Sequence, residues 1–150
     1  MQTHVTSNLS EMDVDLVYDF ISNSYWSKGI PRAIFDKAIE NSLCFGLMQD
    51  AKGCQATKQS RTTQIGFARM ITDRSSFAYL ADVFIVEEYR GRGLSAVLLN
   101  AVFTHSDMQG LRRIILATKD AHGVYEKYGF TSLDDPARLM HKHTPDIYQQ

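Results

Sequence analysis

The chain has 150 residues, of which 44% are hydrophobic and 22% charged, and its formal net charge is −1. This composition is typical of a globular protein and excludes a disordered chain, and the length predicts a single domain over residues 1–150. The near-neutral charge argues against nucleic acid as a partner, because no surplus of positive charge is present to neutralise phosphates.

Three features that the sequence lacks indicate where the protein is expected to be found in the cell. The two cysteines and five histidines show no metal-ligand spacing, so no metal is predicted. The N-terminus shows no secretory signal. The longest apolar stretch, residues 77–86, contains Asp82 and is far too short to cross a bilayer. We therefore expect a cytoplasmic protein without a membrane partner.

Apolar periodicity and turn residues predict a mixed order of helices and strands. Cys44 lies in an apolar run and is predicted to be a buried free thiol, whereas residues 51–62, which include Cys54, are predicted to form a mobile hairpin loop. The predicted strands are 4–6, 43–48, 65–71, 77–86, 114–117, 130–133 and a last one through Leu139 and Met140, and the predicted helices start near Ser10 and Pro31 and span 93–103 and 120–128.

This order predicts an α/β (α+β) fold, with about four helices around a mixed, mostly antiparallel sheet of six to seven strands. Strand 77–86, helix 93–103 and strand 114–117 form a β-α-β unit, so these two strands are expected to run parallel.

The turn after strand 77–86 is the first segment that points to chemistry. Gly91 and Gly93 let an oxygen-rich group approach the backbone closely, and a helix with free N–H groups begins immediately afterwards. Arg90 and Arg92 add positive charge. The turn is either a pyrophosphate cradle or simply a helix entry with solvated arginines. The third glycine of a dinucleotide fingerprint and the lysine-serine ending of an NTPase loop are both absent.

A second segment, residues 120–130, places Tyr125 and Tyr128 three residues apart on one face of a helix that ends at Gly129. Residues 89–94, Tyr-Arg-Gly-Arg-Gly-Leu, resemble the coenzyme-binding signature of the GNAT superfamily of N-acetyltransferases. Residues 125–130, Tyr-Glu-Lys-Tyr-Gly-Phe, resemble the second hallmark of that superfamily. The resemblance covers residues 43–130 well and the N-terminal helices only in outline.

The resemblance implies acetyl-CoA as co-substrate and assigns roles to particular residues. The strands carrying Val83 and Leu116 are expected to separate and leave a slot for the thioester. Tyr125 matches the tyrosine that protonates the departing thiolate. The implied coenzyme contacts are the backbone of Phe84, Ile85 and Val86 for pantetheine, and Arg90, Gly91, Arg92, Gly93, Leu94 and Ser95 for the pyrophosphate, with Thr118 where asparagine is common and Ser95 where glycine or alanine is usual.

The general base and the acceptor site are less defined. Asp82 interrupts an apolar strand, so it is either a base or substrate carboxylate or a structural hydrogen-bonding group. Strict alternation places Asp82 on one face with Phe84 and Val86, unless a bulge re-aims it. Tyr25 and Trp26, between the first two helices, either build the acceptor pocket or cap the core.

The predicted function is N-acetyl transfer from acetyl-CoA to a primary amine, either a small molecule or a protein amino group, by direct attack in a ternary complex. One alternative is a non-catalytic acyl-CoA-binding module with the same fold. Another is a nucleotide-binding protein that uses the same turn. The oligomeric state is open, and a homodimer through terminal strands is one form that the resemblance allows.

Overall fold

A computed structural model describes residues 1–51 and 62–149. The predicted loop at residues 51–62 and its Cys54 lie outside the described residues, apart from the two end positions. In chain order the described elements are β1 (Thr3–Thr6), α1 (Val14–Asn23), α2 (Arg32–Glu40), β2 (Leu43–Asp50), β3 (Thr62–Thr72), β4 (Phe77–Ile85), α3 (Leu94–Thr104), β5 (Arg113–Leu116) and α4 (His122–Glu126).

The described strands form one mixed sheet in the order β1-β2-β3-β4-β5, in which only the β4–β5 pair is parallel. The predicted mixed fold and the parallel pair are therefore confirmed, but the prediction of six to seven strands is not, since the described sheet has five. The segments 130–133 and 139–140 are not strands. Their apolar residues stay exposed, Met140 at 96%, and Pro136 begins a 3-10 turn between them. A proline lacks the N–H that would extend a ladder there.

Two apolar clusters cover opposite faces of this sheet. On β2, Leu43, Phe45 and Leu47 belong to the cluster packed against α3, whereas Cys44 belongs to the cluster packed against α1 and α2. This alternation is the normal side-chain period of a strand with both faces buried. Cys44 is a buried free thiol, as predicted. Within the described residues, no helix is long and apolar enough to cross a membrane.

Strands β4 and β5 stay together only over their first four residue pairs. Their pairing runs from Phe77↔Arg113 to Leu80↔Leu116 and stops there. Beyond Leu80, β4 is paired with β3 alone among the described strands. We call the opening between β4 and the end of β5 the slot. Its position beyond Leu116 agrees with the expected separation of these strands.

Strand β4 contains one extra residue just after the slot begins. Opposite β3, Phe84 pairs with Phe67 but Ala81 pairs with Arg69, so three steps along β4 match two along β3. Asp82, at the irregularity, has φ of +55°. Asp82 bonds to Trp26 on the side of the sheet where Phe84 and Val86 also pack, so the predicted shared face of these three residues is confirmed. The alternation fails only before Asp82, where the extra residue puts Leu80 and Val83 on the same face. Leu80, Val83 and Ile85 all belong to the cluster under α3.

Candidate active site

The turn between β4 and α3 leaves the N-terminus of a helix open. Gly91 and Gly93 both have φ of +73°, a conformation that favours glycine. Gly93 is the N-cap of α3, and no side chain of the described residues caps its N–H groups. A Cβ placed at either glycine would meet no atom of the described chain within 4 Å. Free N–H groups, the positive end of the helix dipole and open space are what a phosphate group needs.

The two arginines of the turn bond back to the backbone that precedes them. The Nε of Arg90 donates to the carbonyl oxygen of Ile85 at 3.0 Å, and Arg92 donates to the carbonyl oxygen of Glu88 at 2.9 Å. The Arg92 guanidinium also lies 5.3 Å from the centre of the Tyr89 ring. These contacts stiffen the turn. Both side chains are exposed, so their remaining N–H groups can still reach a phosphate.

The backbone of β4 beyond Leu80 offers one hydrogen-bonding edge to the slot. The Val86 N–H donates to the Ile65 carbonyl oxygen of β3 at 2.9 Å, so it is not available to a ligand. Backbone groups alternate sides along a strand, which turns the N–H and carbonyl of Ile85 toward the slot, where the carbonyl oxygen already accepts from Arg90. The side chain of Phe84 stacks on Phe20, with ring centres 3.8 Å apart, and belongs to the core.

Tyr125 lies on α4 and lines a cleft of about 400 Å³ beside β5. The same cleft is lined by Leu116 and Thr118, at the end of β5, and by Phe130. Burial raises the pKa of the Tyr125 phenol above its ordinary value of 10.0. The phenol is therefore protonated at neutral pH. Its hydroxyl makes no hydrogen bond to the residues that the structure describes, so its proton is available to a ligand.

Thr118 and His122 complete this side of the site. The Thr118 hydroxyl accepts a hydrogen bond from the Ala121 N–H at 3.0 Å and so fixes the start of α4. It keeps its own proton for a second contact. His122 lines the same cleft but is exposed. The helix itself is shorter than predicted, and Tyr128 follows it in a turn.

Asp82 is held by two donors from distant parts of the chain. Its Oδ2 accepts from the Nε of Arg69 at 2.7 Å, and its Oδ1 accepts from the indole Nε1 of Trp26 at 2.8 Å. The Tyr25 ring makes an edge contact with Trp26, and the Nζ of Lys119 lies 3.9 Å from the centre of the Tyr25 ring. Tyr25 is 65% exposed and Trp26 44%, so neither ring caps the core.

Besides the β4 backbone at residues 84–86, the site residues predicted from the sequence fall into three groups. The turn forms one, Tyr125 and Thr118 on the cleft form another, and Tyr25, Trp26 and Asp82 form the third. Lys119, next to Thr118, links the last two groups. Sequence reasoning missed Lys119 and Arg69, although an arginine in an apolar strand is a signal that a buried carboxylate is close. Among the described residues, no cluster of three or more potential metal ligands occurs.

Comparison with known families identifies the class of protein that this fold and site define. The model of the acetyltransferase (GNAT) domain matches residues 21–141, which is more than half of the chain. The chain therefore belongs to the GNAT acetyltransferases, and the resemblance seen in its two motifs is confirmed.

Individual relatives agree with this assignment. A crystal structure from Xanthomonas campestris pv. campestris, of a provisionally named GNAT-family acetyltransferase, is 43% identical with a TM-score of 0.88, over 100% of this chain and 99% of that one. A provisionally named acetyltransferase of Gibberella zeae is 30% identical over 135 residues, covering 82% of this chain and 75% of its own. N-acetylglutamate synthase from Neisseria gonorrhoeae, solved with coenzyme A and N-acetyl-glutamate, shares the fold at 13% identity, with a TM-score of 0.66 over 93% of this chain and 30% of that one.

Proposed function

We propose that this protein transfers the acetyl group of acetyl-CoA to a primary amine, by direct attack of the amine within a ternary complex. The observation that carries the proposal is Tyr125: a half-buried, protonated phenol on the wall of a cleft at the end of β5, whose hydroxyl is free of hydrogen bonds to the described part of the chain. A module that only binds acyl-CoA has no need of such a proton donor. The acceptor is a small-molecule amine or a protein amino group.

The coenzyme is held, in this proposal, by the backbone of the turn and of β4. The uncapped N–H groups of α3 and the open space beside Gly91 and Gly93 suit the pyrophosphate. Arg90 and Arg92 add charge-assisted hydrogen bonds. The slot-facing N–H of Ile85 donates to the pantetheine arm as the backbone of a paired strand would, while its carbonyl oxygen accepts from Arg90. The Ile85 N–H is also the donor of β4 best placed to polarise the thioester carbonyl, because the Val86 N–H is taken by β3.

The chemical step forms a bond between the amine nitrogen and the thioester carbonyl carbon, and breaks the bond between that carbon and sulfur. The departing thiolate takes the phenol proton of Tyr125, which burial keeps on the oxygen throughout the neutral range. The amine must attack in its neutral form and lose one proton to a base. Asp82 and water remain the two candidates for that base, and each oxygen of the Asp82 carboxylate still has a lone pair beyond its present hydrogen bond.

The first test is ligand-dependent thermal unfolding. Acetyl-CoA at about 100 times its dissociation constant adds roughly 2.7 kcal/mol to the free energy of unfolding, which for a chain of this length raises the Tm by about 5–10 °C. ATP serves as the comparison. A shift with acetyl-CoA and little with ATP supports the coenzyme assignment, whereas a larger shift with ATP revives the nucleotide-binding alternative and contradicts ours.

The second test separates an enzyme from a binding module. An amine panel is screened for acetyl-CoA-dependent release of free thiol, and Tyr125→Phe is compared with Tyr128→Phe, which removes a hydroxyl that makes only a 3.4 Å contact with the Ala96 carbonyl. We expect Tyr125→Phe to lower kcat by about 100-fold, the typical contribution of a general acid, with acetyl-CoA binding unchanged. No turnover of any amine by the wild-type protein would favour the binding module.

A further inference from the structure

Asp82 connects two parts of the molecule that the sequence separates by more than fifty residues. The Asp82 side chain is 7% exposed and its partner Arg69 is 15% exposed. Arg69 is itself fixed, because its second nitrogen donates to the Ser42 hydroxyl at 3.1 Å. The carboxylate thus joins the indole of Trp26 to a guanidinium that is anchored on β3 and beside β2. The hydrogen bonds to Arg69 and Trp26 fix the position of the Asp82 carboxylate, which has little contact with solvent.

The backbone of Asp82 has an unusual conformation that directs its side chain toward Trp26. A φ of +55° is unfavourable for a residue with a Cβ, and aspartate tolerates it better than most. The irregularity in β4 places this residue outside the regular ladder, at the start of the slot. Bulges next to active sites commonly re-aim a side chain in this way. Here the side chain is directed to Trp26 of the loop between α1 and α2.

That loop reaches both sides of the slot. Trp26 is bound to β4 through Asp82, and Tyr25 touches Lys119, which lies three residues beyond the last residue of β5. The two rings meet edge to face, with their centres 5.0 Å apart. The aromatic pair therefore extends from one slot strand to the loop after the other. It remains partly exposed, as a binding surface must be.

We propose that Asp82 is a positioning residue for the acceptor, which acts by holding Trp26, and with it Tyr25, across the slot as the wall against which the amine binds. This inference rests on the proposed function, since it names the contact that orders the acceptor site of the same reaction. It assigns Asp82 an effect on amine binding through Trp26, and leaves proton removal from the amine to water.

The hydrogen bond between Asp82 and Trp26 can be followed by fluorescence without an activity assay, because Trp26 is the only tryptophan of the chain. Asp82→Asn keeps the size of the side chain but presents an NH2 group to one of its two donors. We expect its tryptophan emission to shift to longer wavelength and its quenching by acrylamide to increase. Asp107→Asn is the matched control, since Asp107 accepts from Arg74 at 2.6 Å outside the site. Because the asparagine oxygen could still accept from Trp26, Asp82→Ala, which has no acceptor, is measured beside it, and unchanged emission and quenching in both variants would overturn the proposal.

Kinetics then separates positioning from base catalysis. Trp26→Phe keeps one aromatic ring and removes the N–H donor together with the five-membered ring of the indole. We expect it to raise the KM for the amine about tenfold, the effect of losing a hydrogen bond to a charged group, with the KM for acetyl-CoA and the pH profile of kcat unchanged. The double variant with Asp82→Asn should be no worse than Asp82→Asn alone, because both changes break one contact.

A different pattern would identify Asp82 as the base. If Asp82→Asn lowered kcat and flattened its pH profile, while Trp26→Phe kept a normal KM for the amine, the proposal would be wrong. If the wild-type protein acetylated no amine, the proposed function would fail, and the fluorescence comparison would still decide whether Asp82 holds Trp26.

Discussion

The replacement of Gly93 by alanine tests the phosphate cradle most directly. Gly93 is the N-cap of α3 and has φ of +73°. Its alanine Cβ would meet no atom of the described residues within 4 Å, so the substitution creates no clash with them in the free protein. It does place a methyl group in the open space where we expect the pyrophosphate. The variant should therefore lose acetyl-CoA binding out of proportion to any loss of stability.

The two effects can be given magnitudes. A left-handed conformation costs a residue with a Cβ about 1–2 kcal/mol, and the stiffer unfolded chain returns about 0.4–1 kcal/mol, which leaves a net loss of about 1 kcal/mol. For a chain of this length that lowers the Tm by about 2–4 °C. A backbone hydrogen bond to a charged group is worth about 1.5–3 kcal/mol, so losing one should raise the dissociation constant for acetyl-CoA at least about tenfold.

Gly110 provides a control with the same φ and the same open space around it. It also has φ of +73°, and a Cβ added there would likewise meet no described atom within 4 Å, but it lies between α3 and β5, away from the turn. Urea denaturation without ligand should give the same loss of stability for Gly110→Ala and Gly93→Ala. Calorimetric titration with acetyl-CoA should show weakened binding only for Gly93→Ala. Equal affinity of the two variants for acetyl-CoA would refute the assignment of this turn to the pyrophosphate.

Two further predictions concern the core. Gly66→Ala should destabilise the protein by about 1–3 kcal/mol in urea denaturation, because its Cβ would lie 2.8 Å from the Ile85 side chain and 3.0 Å from the Phe84 carbonyl oxygen; wild-type stability would mean that β4 can shift. In a Cys54→Ala background, native Cys44 should not react with a thiol reagent at pH 8, since burial raises its pKa from 9.0 to about 11. Because the unfolded chain releases that proton first, the free energy of unfolding should fall as pH rises from about 9 to about 11, and Cys44→Ala should lose this dependence.

The central β-α-β unit was predictable because its signals are local. The apolar run of β4, the two glycines and the apolar spacing of α3 follow each other without interruption, and the structure has all three within a residue or two of the predicted bounds. The predicted last strands failed for a non-local reason. Apolar residues such as Leu139 and Met140 indicate a strand only if a partner strand and a core are available to them, and here they stay exposed.

The site residues also divide into those with a local sequence signal and those that depend on non-local contacts. Tyr125 and the glycine turn could be found from motifs that each occupy a few consecutive residues. The hydrogen bond between Trp26 and Asp82 joins residues 56 positions apart, and it depends on a bulge that no periodicity reveals. Asp82 was recognisable as a residue in need of a partner, but its two partners became known only from the folded chain.

The irregularity in β4 has a consequence for chain length. Without residue 82, Val83 would follow Ala81 directly, and Phe67, Ala68 and Arg69 would face Phe84, Val83 and Ala81 in an unbroken ladder. Val83 and Ile85 would still point to the same core as Leu80. The fold could thus dispense with this residue, provided that Arg69 were also replaced by an apolar side chain. Asp82 is in this sense a one-residue insertion that the sheet accommodates. A chain that lacks it, with Arg69 replaced as well, should still fold but should bind the acceptor amine poorly.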